Sequence, residues 1–264
     1  MNKDSYHPYK LELSSGLMDS FVDATYVLTL CNSNRIDNII EQFKKVKPTK
    51  TIYIFFNEGY KNKKLRKKDS INDICDTNIH IFHHANERNY KNILVLEDDF
   101  IFDDKIKDKK KLDSIERFIN IHDDKIFAYS LGSLSVMLYP IFEDTYLTLS
   151  LGAHSHIYNK KTRDHLINKY RNAICDDWEW YTSFVVKRYI YKEPLCYQLF
   201  PETENSKNWK VTGIIFFIIN KLFNLKTDIS YQGFYTYNKI GYIMFYILLF
   251  IILLLIYIIF KKKN

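Results

Sequence analysis

An unbroken apolar run at residues 93–96 leads directly into three consecutive acids, Glu97, Asp98 and Asp99. A run of this length and composition predicts a strand buried on both faces, as in a mostly parallel α/β sheet. The acids then lie at the carboxyl end of the strand, where open α/β sheets bind their ligands. Three adjacent carboxylates are costly unless a cation or solvent compensates their charge. The pattern therefore predicts an α/β fold with a polar site at this strand end.

The alternation of side chains along a strand suggests different roles for the three acids. If strand geometry persists, Glu97 and Asp99 point to one side of the sheet and Asp98 points to the other. Glu97 and Asp99 would share one hard divalent cation, Mn²⁺ or Mg²⁺, because these ions prefer oxygen ligands. Asp99 is expected to be an exposed strand-end acid. Asp98 would be free to bind a sugar or ribose hydroxyl. The alternative is that the acids only terminate the strand, since acidic residues suit turns and helix caps.

Segments on both sides of this strand alternate between strand and helix patterns. Residues 23–30 and 51–56 read as strands, and residues 35–46 have the apolar spacing of an amphipathic helix, which together give a β-α-β opening. Later segments predict a short helix at 70–75, a short strand at 79–82, a helix at 111–121, strands at 125–131 and 146–151, and helices at 160–170 and 175–188.

Residues 241–260 contain no charged side chain. Twenty apolar residues at the helical rise span a hydrocarbon core of about 30 Å, and a basic tail follows at 261–264. A buried core helix is the alternative. The predicted organisation is an N-terminal extension at 1–22, a catalytic domain at 23–210, an apolar connector at 211–240, a transmembrane helix at 241–260 and the basic tail. Within the connector, the apolar segment at 212–225 is too short to span, so it either lies in the membrane interface or packs as a core helix.

The topology signals disagree about the side of the membrane. The N-terminal residues lack the apolar core of a signal peptide, and the four cysteines are scattered as in a reducing compartment, so we expect a cytosolic domain with a single-pass C-terminal anchor. The terminal lysines follow the positive-inside tendency and resemble a dilysine retrieval signal, and both features place the tail in the cytosol. A lumenal location of the catalytic domain is therefore the alternative. The net charge of +7 is modest and no motif indicates a nucleic-acid partner.

The order of several motifs resembles glycosyltransferase family 25, which includes lipooligosaccharide and procollagen galactosyltransferases. These motifs are Arg35 after the first strand, VLEDDF at 95–100, LGAHSHIYNKKTRDHLI at 151–167, the pair Asp176 and Asp177, and EPLCYQLFPETENSKNW at 193–209. The resemblance covers residues 23–209. It implies a GT-A-like fold, meaning a Rossmann-type mixed sheet flanked by helices, that binds a nucleotide-sugar and a divalent cation, usually manganese, held by the acidic motif.

The resemblance also implies roles for single residues. Arg35 is expected near the donor nucleotide, and Gly152 and His154 near the donor or acceptor sugar. His154 would either complete the metal shell or be an ordinary satisfied polar residue. Asp176 or Asp177 would take the proton from the acceptor hydroxyl, although the same acids would also cap a helix.

The predicted function is that of a membrane-anchored, metal-dependent hexosyltransferase. It would move a sugar from a nucleotide-sugar donor to a hydroxyl of a glycan, protein or lipid acceptor. The alternative is a catalytically inactive, glycosyltransferase-like membrane-anchored structural or scaffold protein. A metal-dependent phosphatase or nuclease would need a nucleophile or lysine at set spacing near the acids, and none is evident in the sequence.

Overall fold

The computed structural model of the protein describes residues 5–151, 154–172, 178–198, 218, 221–222 and 230–263. The fold is mixed α/β, with one large sheet flanked by helices and a separate apolar helix at the C-terminal end. The strands are β1 (Tyr6–Glu12), β2 (Ala24–Leu30), β3 (Thr51–Asn57), β4 (Asn92–Glu97), β5 (Phe100–Phe102), β6 (Phe127–Ser130), β7 (Leu134–Phe142), β8 (Thr145–Leu151), β9 (Ser155–Asn159), β10 (Lys187–Tyr191) and β11 (Cys196–Gln198). The helices are α1 (Ile36–Lys45), α2 (Ser70–Glu87), α3 (Lys109–Ile121), α4 (Lys160–Asn172), α5 (Trp178–Val185) and α6 (Ser230–Lys263).

Nine strands form one sheet in the order β1-β3-β2-β4-β9-β6-β10-β8-β7, and β5 pairs with β11 in a second, two-stranded sheet. Strand β2 pairs parallel with β3 and β4, β10 pairs parallel with β6, and the other neighbours are antiparallel. The parallel register brings Leu28 opposite Glu97, so the ends of β2 and β4 lie at the same edge of the sheet. The predicted mixed α/β fold class is confirmed.

The central strand β4 is buried on both faces, as its apolar sequence predicts. Leu94 and Leu96 belong to a core cluster that includes side chains of α1 and α3. Ile93 and Val95 belong to a second cluster that includes side chains of α2 and α4. Because successive strand residues point to opposite faces, one run of apolar residues supplies both cores. The acids that follow are thereby fixed to a rigid element.

The predicted helix at 70–75 is present, but the predicted strand at 79–82 is wrong. A short helix and a short strand were expected, but one continuous helix, α2, covers Ser70–Glu87. Asp69 caps it by accepting a hydrogen bond from the Asn72 backbone N–H at 2.8 Å. The buried positions Cys75, Ile79 and Phe82 repeat at helical spacing, which a short window around 79–82 does not reveal.

Three further segments differ from the expectations. The predicted N-terminal extension contributes β1, an edge strand that pairs antiparallel with β3. The predicted helix at 175–188 is the shorter α5, and it is followed by β10, whereas residues 173–177 lie outside the described residues. Cys75 is disulfide-bonded, so the expectation of reduced cysteines is wrong for this residue, while Cys31 and Cys196 are free thiols.

Helix α6 contains a stretch, Tyr235–Lys261, that is long and apolar enough to cross a membrane, and none of its most apolar part is buried in the protein. The first turns of α6 pack against β7 and β11. There the side-chain oxygen of the buried Asn238 accepts a hydrogen bond from the Ser135 backbone N–H at 3.1 Å. Residues 230–240 of the predicted connector are thus the start of α6, and most of the rest of the connector lies outside the described residues.

Candidate active site

The three acids lie where β4 ends and the chain turns into β5. Glu97 is the last residue of β4, and Asp98 and Asp99 form the turn before β5 begins at Phe100. The Glu97 backbone N–H donates to the carbonyl oxygen of His154 at 3.1 Å, which holds the end of β4 to the segment that precedes β9. Strand geometry therefore stops at Glu97, and the side-chain directions of the next two acids are set by the turn.

Asp98 is held in a network of charged and polar side chains. Its Oδ1 accepts from Arg35 Nη1 at 2.5 Å, and its Oδ2 accepts from the hydroxyls of Thr29 at 2.8 Å and Ser33 at 2.9 Å. Thr29 is in β2, and Ser33 and Arg35 precede α1, so the β2–α1 connection surrounds this carboxylate. Asp98 is not without partners, because both of its oxygens accept hydrogen bonds from the protein, and its predicted contact with a sugar hydroxyl stays a prediction.

Glu97 and Asp99 meet at a single amide nitrogen. Gln198 Nε2 lies 3.1 Å from both carboxylate oxygens of Asp99 and 3.2 Å from Glu97 Oε2. Arg35 Nη1 is 3.7 Å from Asp99 Oδ2, so the guanidinium links the two acid groups. Asp99 is only 4% exposed, which corrects the expectation of an exposed strand-end acid. The expected approach of Glu97 and Asp99 to a common point is present, and Asp98 is directed to other partners.

Burial raises the pKa of Asp99 to about 7, and the neighbouring Asp98 carboxylate adds to the shift. Arg35 and the hydrogen bonds from Gln198 act in the opposite direction, but they do not cancel the cost of desolvation. Near neutral pH this carboxyl group is therefore divided between its neutral and charged forms. A cation placed beside it would favour the charged form.

The donor set suits a hard divalent cation. Three carboxylate oxygens from two residues, Glu97 and Asp99, surround one point at which a hydrogen-bond donor now sits. Oxygen donors of this kind are the ligands that Mn²⁺ and Mg²⁺ prefer. Among the described residues no group of three or more His, Cys, Asp or Glu side chains is arranged to hold a metal ion. The described part of the chain thus offers two carboxylate ligands, and a cation would take its remaining ligands from substrate or water.

Strand β11 reaches the acids because it lies very close to the end of β6. The backbone N–H groups of Leu195 and Cys196 donate to the Leu131 carbonyl oxygen at 2.7 and 3.1 Å. A Cβ on Gly132 would stand 1.6 Å from the Cys196 carbonyl oxygen, so only glycine permits this approach. The position of Gln198 beside Glu97 and Asp99 depends on this contact.

The other predicted site residues have mixed outcomes. His154 is fully buried, and desolvation lowers its pKa to about 4, so its ring is neutral at physiological pH. Among the described residues, it does not join the acids in a group of metal ligands, and its carbonyl oxygen instead anchors Glu97. Gly152, Asp176 and Asp177 lie outside the described residues.

Sequence reasoning assigned no role to Gln198, Thr29 or Ser33. Thr29 and Ser33 are separated from Asp98 by 69 and 65 residues, and Gln198 is separated from Glu97 by 101 residues. The sequence signal for these two residues is their position, because Thr29 lies near the end of the first predicted strand, β2, and Ser33 lies just after it. Strand β2 is a neighbour of β4 in the sheet. Gln198 carried a signal only as the last residue of a Pro-x-x-x-Gln spacing.

Comparisons with known proteins leave the family open. No family model matches the chain, and no curated protein matches it. A crystal structure of a glycosyltransferase involved in the glycosylation of the major capsid of PBCV-1 aligns with 61% of this chain and 74% of its own, at 13% identity and a TM-score of 0.36. A TM-score this low does not establish a shared fold. The predicted membership in family 25 therefore stays a prediction.

Proposed function

We propose that the protein is a metal-dependent glycosyltransferase that uses a nucleotide-sugar donor and is anchored in a membrane by α6. The observation that carries this proposal is the convergence of three carboxylate oxygens of Glu97 and Asp99 on the position of Gln198 Nε2. These acids follow the central strand β4 at the carboxyl edge of the parallel part of the sheet, which is where α/β sheets bind ligands.

Glu97 and Asp99 would hold Mn²⁺ or Mg²⁺ after Gln198 Nε2 withdraws from between them. When bound, such an ion supplies Lewis-acid stabilisation of the charge on a departing diphosphate. Because burial raises the pKa of Asp99 to about 7, the fraction of its carboxyl that is protonated near neutral pH would have to lose its proton to hold an ion.

Arg35 would bind the donor phosphates or nucleotide. Its Nη1 makes the contacts with Asp98 and Asp99, and a guanidinium has five N–H donors in all, so other donors of the same group suit phosphate oxygens. Thr29, Ser33 and Asp98 fix the guanidinium in this place. We assign Asp98 to positioning Arg35.

The acceptor side of the reaction rests on the sequence resemblance. Asp177, or Asp176 beside it, is proposed to accept the proton of the acceptor hydroxyl, and Gly152 and His154 are proposed to lie near a sugar. The acceptor would be a hydroxyl of a glycan, a protein or a lipid. The transferred sugar would be a hexose.

The disulfide at Cys75 favours a lumenal location of the folded domain over the cytosolic one expected from the sequence. Disulfides persist in oxidising compartments and are rare in the cytosol. The terminal lysines at 261–263 would then face the cytosol, in agreement with the positive-inside tendency. Protease protection of the domain in sealed microsomes, and its loss on adding detergent, is the test of this orientation.

A second candidate function is a membrane-anchored scaffold without catalytic activity. The observation in its favour is that the acid network is satisfied by the protein itself, since Gln198 bridges Glu97 and Asp99 while Arg35 pairs with Asp98. A scaffold could keep such a network for stability alone.

The decisive experiment uses the full chain in detergent micelles with Mn²⁺ and a panel of nucleotide-sugars, and it measures released nucleoside diphosphate. We expect one donor to be consumed above the others. The variant D99N should abolish this turnover, and D104N, which changes an exposed acid close in sequence, should not. No release from any donor, together with no effect of Mn²⁺ on thermal unfolding, would favour the scaffold.

A further inference from the structure

The hairpin formed by β7 and β8 contacts α6 at the beginning of its uncharged run. The rings of Tyr139 and Phe245 are 5.0 Å apart, and those of Tyr146 and Tyr242 are 5.6 Å apart, measured between centroids. The uncharged run starts at residue 241, so both helix residues lie within its first two turns. If α6 crosses a bilayer, as proposed above, these two hairpin tyrosines lie at the level where the helix enters it.

The contacts along α6 change from charged to apolar in the direction of the span. Lys105 Nζ lies 5.6 Å from the centre of the Tyr235 ring, and Asn238 then binds the backbone of β7. Tyr242 and Phe245 follow, and each makes an aromatic contact with the hairpin. A sequence of charged, polar, aromatic and apolar groups matches the passage from water through the interface of a bilayer, where tyrosine is enriched.

The hairpin presents large apolar side chains to solvent at this level. Tyr139 and Leu149 are each 46% exposed and Ile141 is 39% exposed. Beside them is a cavity of about 330 Å³ with a mixed lining. Its apolar part is formed by Met137, Tyr139, Leu147, Leu149, Val185 and Val186, and its polar part by Thr148, Ser183, Lys187 and Arg188. Several large apolar side chains exposed on one hairpin are a candidate interaction surface.

We infer that this outward hairpin surface (Tyr139, Ile141, Leu149 and the adjoining cavity) docks into the interface of the bilayer that α6 crosses. The inference rests on the proposed membrane anchoring and is independent of catalysis. The hairpin surface is continuous with the contact that α6 makes, and the partner it fits is lipid. Helix α6 also packs on β11, the strand that carries Gln198, so docking ties the acid site to the membrane surface. Such a site is suited to an acceptor that the membrane itself carries.

A matched pair of isoleucines tests the inference in the full chain. Ile141 in the hairpin and Ile40 in α1 are 39% and 42% exposed, so each can be changed to cysteine and labelled with an environment-sensitive fluorophore, in a background where the exposed Cys31 is serine. The protein is reconstituted in phosphatidylcholine vesicles with and without lipids that carry a quencher near the headgroup. L149C provides a second position if I141C does not fold.

The expected result is loss of fluorescence in quencher-containing vesicles for I141C and L149C, with no loss for I40C. Equal quenching of the hairpin labels and the α1 label would overturn the inference. Hairpin labels that are shielded from water but not quenched would also overturn it, because this result indicates a protein partner instead of lipid. Failure of the chain to float with vesicles would overturn the anchoring as well. None of these readings depends on sugar transfer, so a failure of the catalytic proposal is separately visible.

Discussion

The side-chain nitrogen of Gln198 lies 3.1 Å from both carboxylate oxygens of Asp99. It also lies 3.2 Å from Glu97 Oε2, so one neutral donor takes the position between two acids. The arrangement reduces the repulsion of the acids without a full positive charge. The donor also occupies the position proposed above for the divalent cation, and in that proposal Gln198 is the residue that must move.

Replacing this donor by a third acid should make the fold depend on metal. In Q198E the added carboxylate faces Glu97 and Asp99, so we expect a lower Tm in EDTA and a larger rise with Mn²⁺ than in the wild type. Thermal unfolding with EDTA and with Mn²⁺ measures both changes. Q42E is the control, because Gln42 is buried and accepts from the Phe102 backbone N–H at 3.1 Å, so its loss of stability should not respond to Mn²⁺. Equal responses of the two variants would contradict the proposed metal position.

The ion pair of Arg35 and Asp98 should contribute measurably to stability. Both side chains are largely buried, and R35M would leave a carboxylate with two hydroxyl donors and no counter-ion. We expect a loss of about 2 kcal/mol in the free energy of unfolding, measured by urea denaturation. R117M breaks the exposed pair of Arg117 and Glu143 and should cost clearly less stability than R35M, because solvent screens an exposed pair. A loss in R35M no larger than in R117M would show that the network is not structurally important.

Gly132 should be required for the site and not only for the fold. In G132A the new Cβ would collide with the Cys196 carbonyl oxygen and push β11 away from the acids. In G16A the new Cβ would stand 2.2 Å from Thr49 Cα, just before β3 begins. This contact is at the amino-terminal end of β3, whereas the acids follow the carboxyl end of its parallel sheet-mate β4. We expect each variant to lose about 3 kcal/mol of stability. Only G132A should alter Mn²⁺ binding, which is measured by titration at a temperature where both variants are folded. Equal Mn²⁺ binding by the two variants would refute the role of the β6–β11 contact.

The protein should lose stability in mild acid through the histidines of α2. Burial lowers the pKa of His80 and of His84 to about 4, whereas an unfolded histidine titrates near the ordinary value of 6.5. Above the unfolded value both states are neutral and the stability is fully present. As the pH falls from 6.5 towards 4 the unfolded state takes up protons that the folded state does not, and stability decreases.

The variant H84N separates this effect from general acid denaturation. His84 Nδ1 is 2.8 Å from the Tyr26 hydroxyl, and an asparagine amide keeps a polar partner there without a titrating group. We expect the urea midpoint of H84N to fall less steeply with pH than that of the wild type. H7N, at an exposed position on β1, is the control. An unchanged pH dependence in H84N would exclude His84 as a source of the acid sensitivity.

Local patterns predicted the parts of the fold that depend on local sequence. The apolar run before Glu97 predicted a strand buried on both faces, and Leu94 and Val95 do lie in different cores. Strand β1 was not predicted because an edge strand with mostly exposed residues lacks an apolar pattern. Helix α2 was divided in the prediction because its buried face includes Asn78 and His80, which conceal the helical period.

The sequence predicted the part of the candidate site that lies at the end of the central strand, and it did not predict the partners of these acids. Side-chain alternation predicted that Glu97 and Asp99 would share one side, but the turn after Glu97 sets the direction of Asp99. The partners of the acids come from distant segments. Arg35 reaches Asp98 across 63 residues, and Gln198 reaches Asp99 across 99. Such contacts depend on strand order and on the close approach that Gly132 allows, and neither is encoded in a local pattern.

Direct measurement of Mn²⁺ binding to the full chain, by the loss of the free-ion electron paramagnetic resonance signal in the presence of a nucleoside diphosphate, tests the central claim. The account predicts that the wild type and D104N bind the ion alike, and that D99N and E97Q lose most of the affinity because each removes a charged ligand from the same point. Binding by D99N and E97Q that equals the wild type would contradict the assignment of these carboxylates as the metal site.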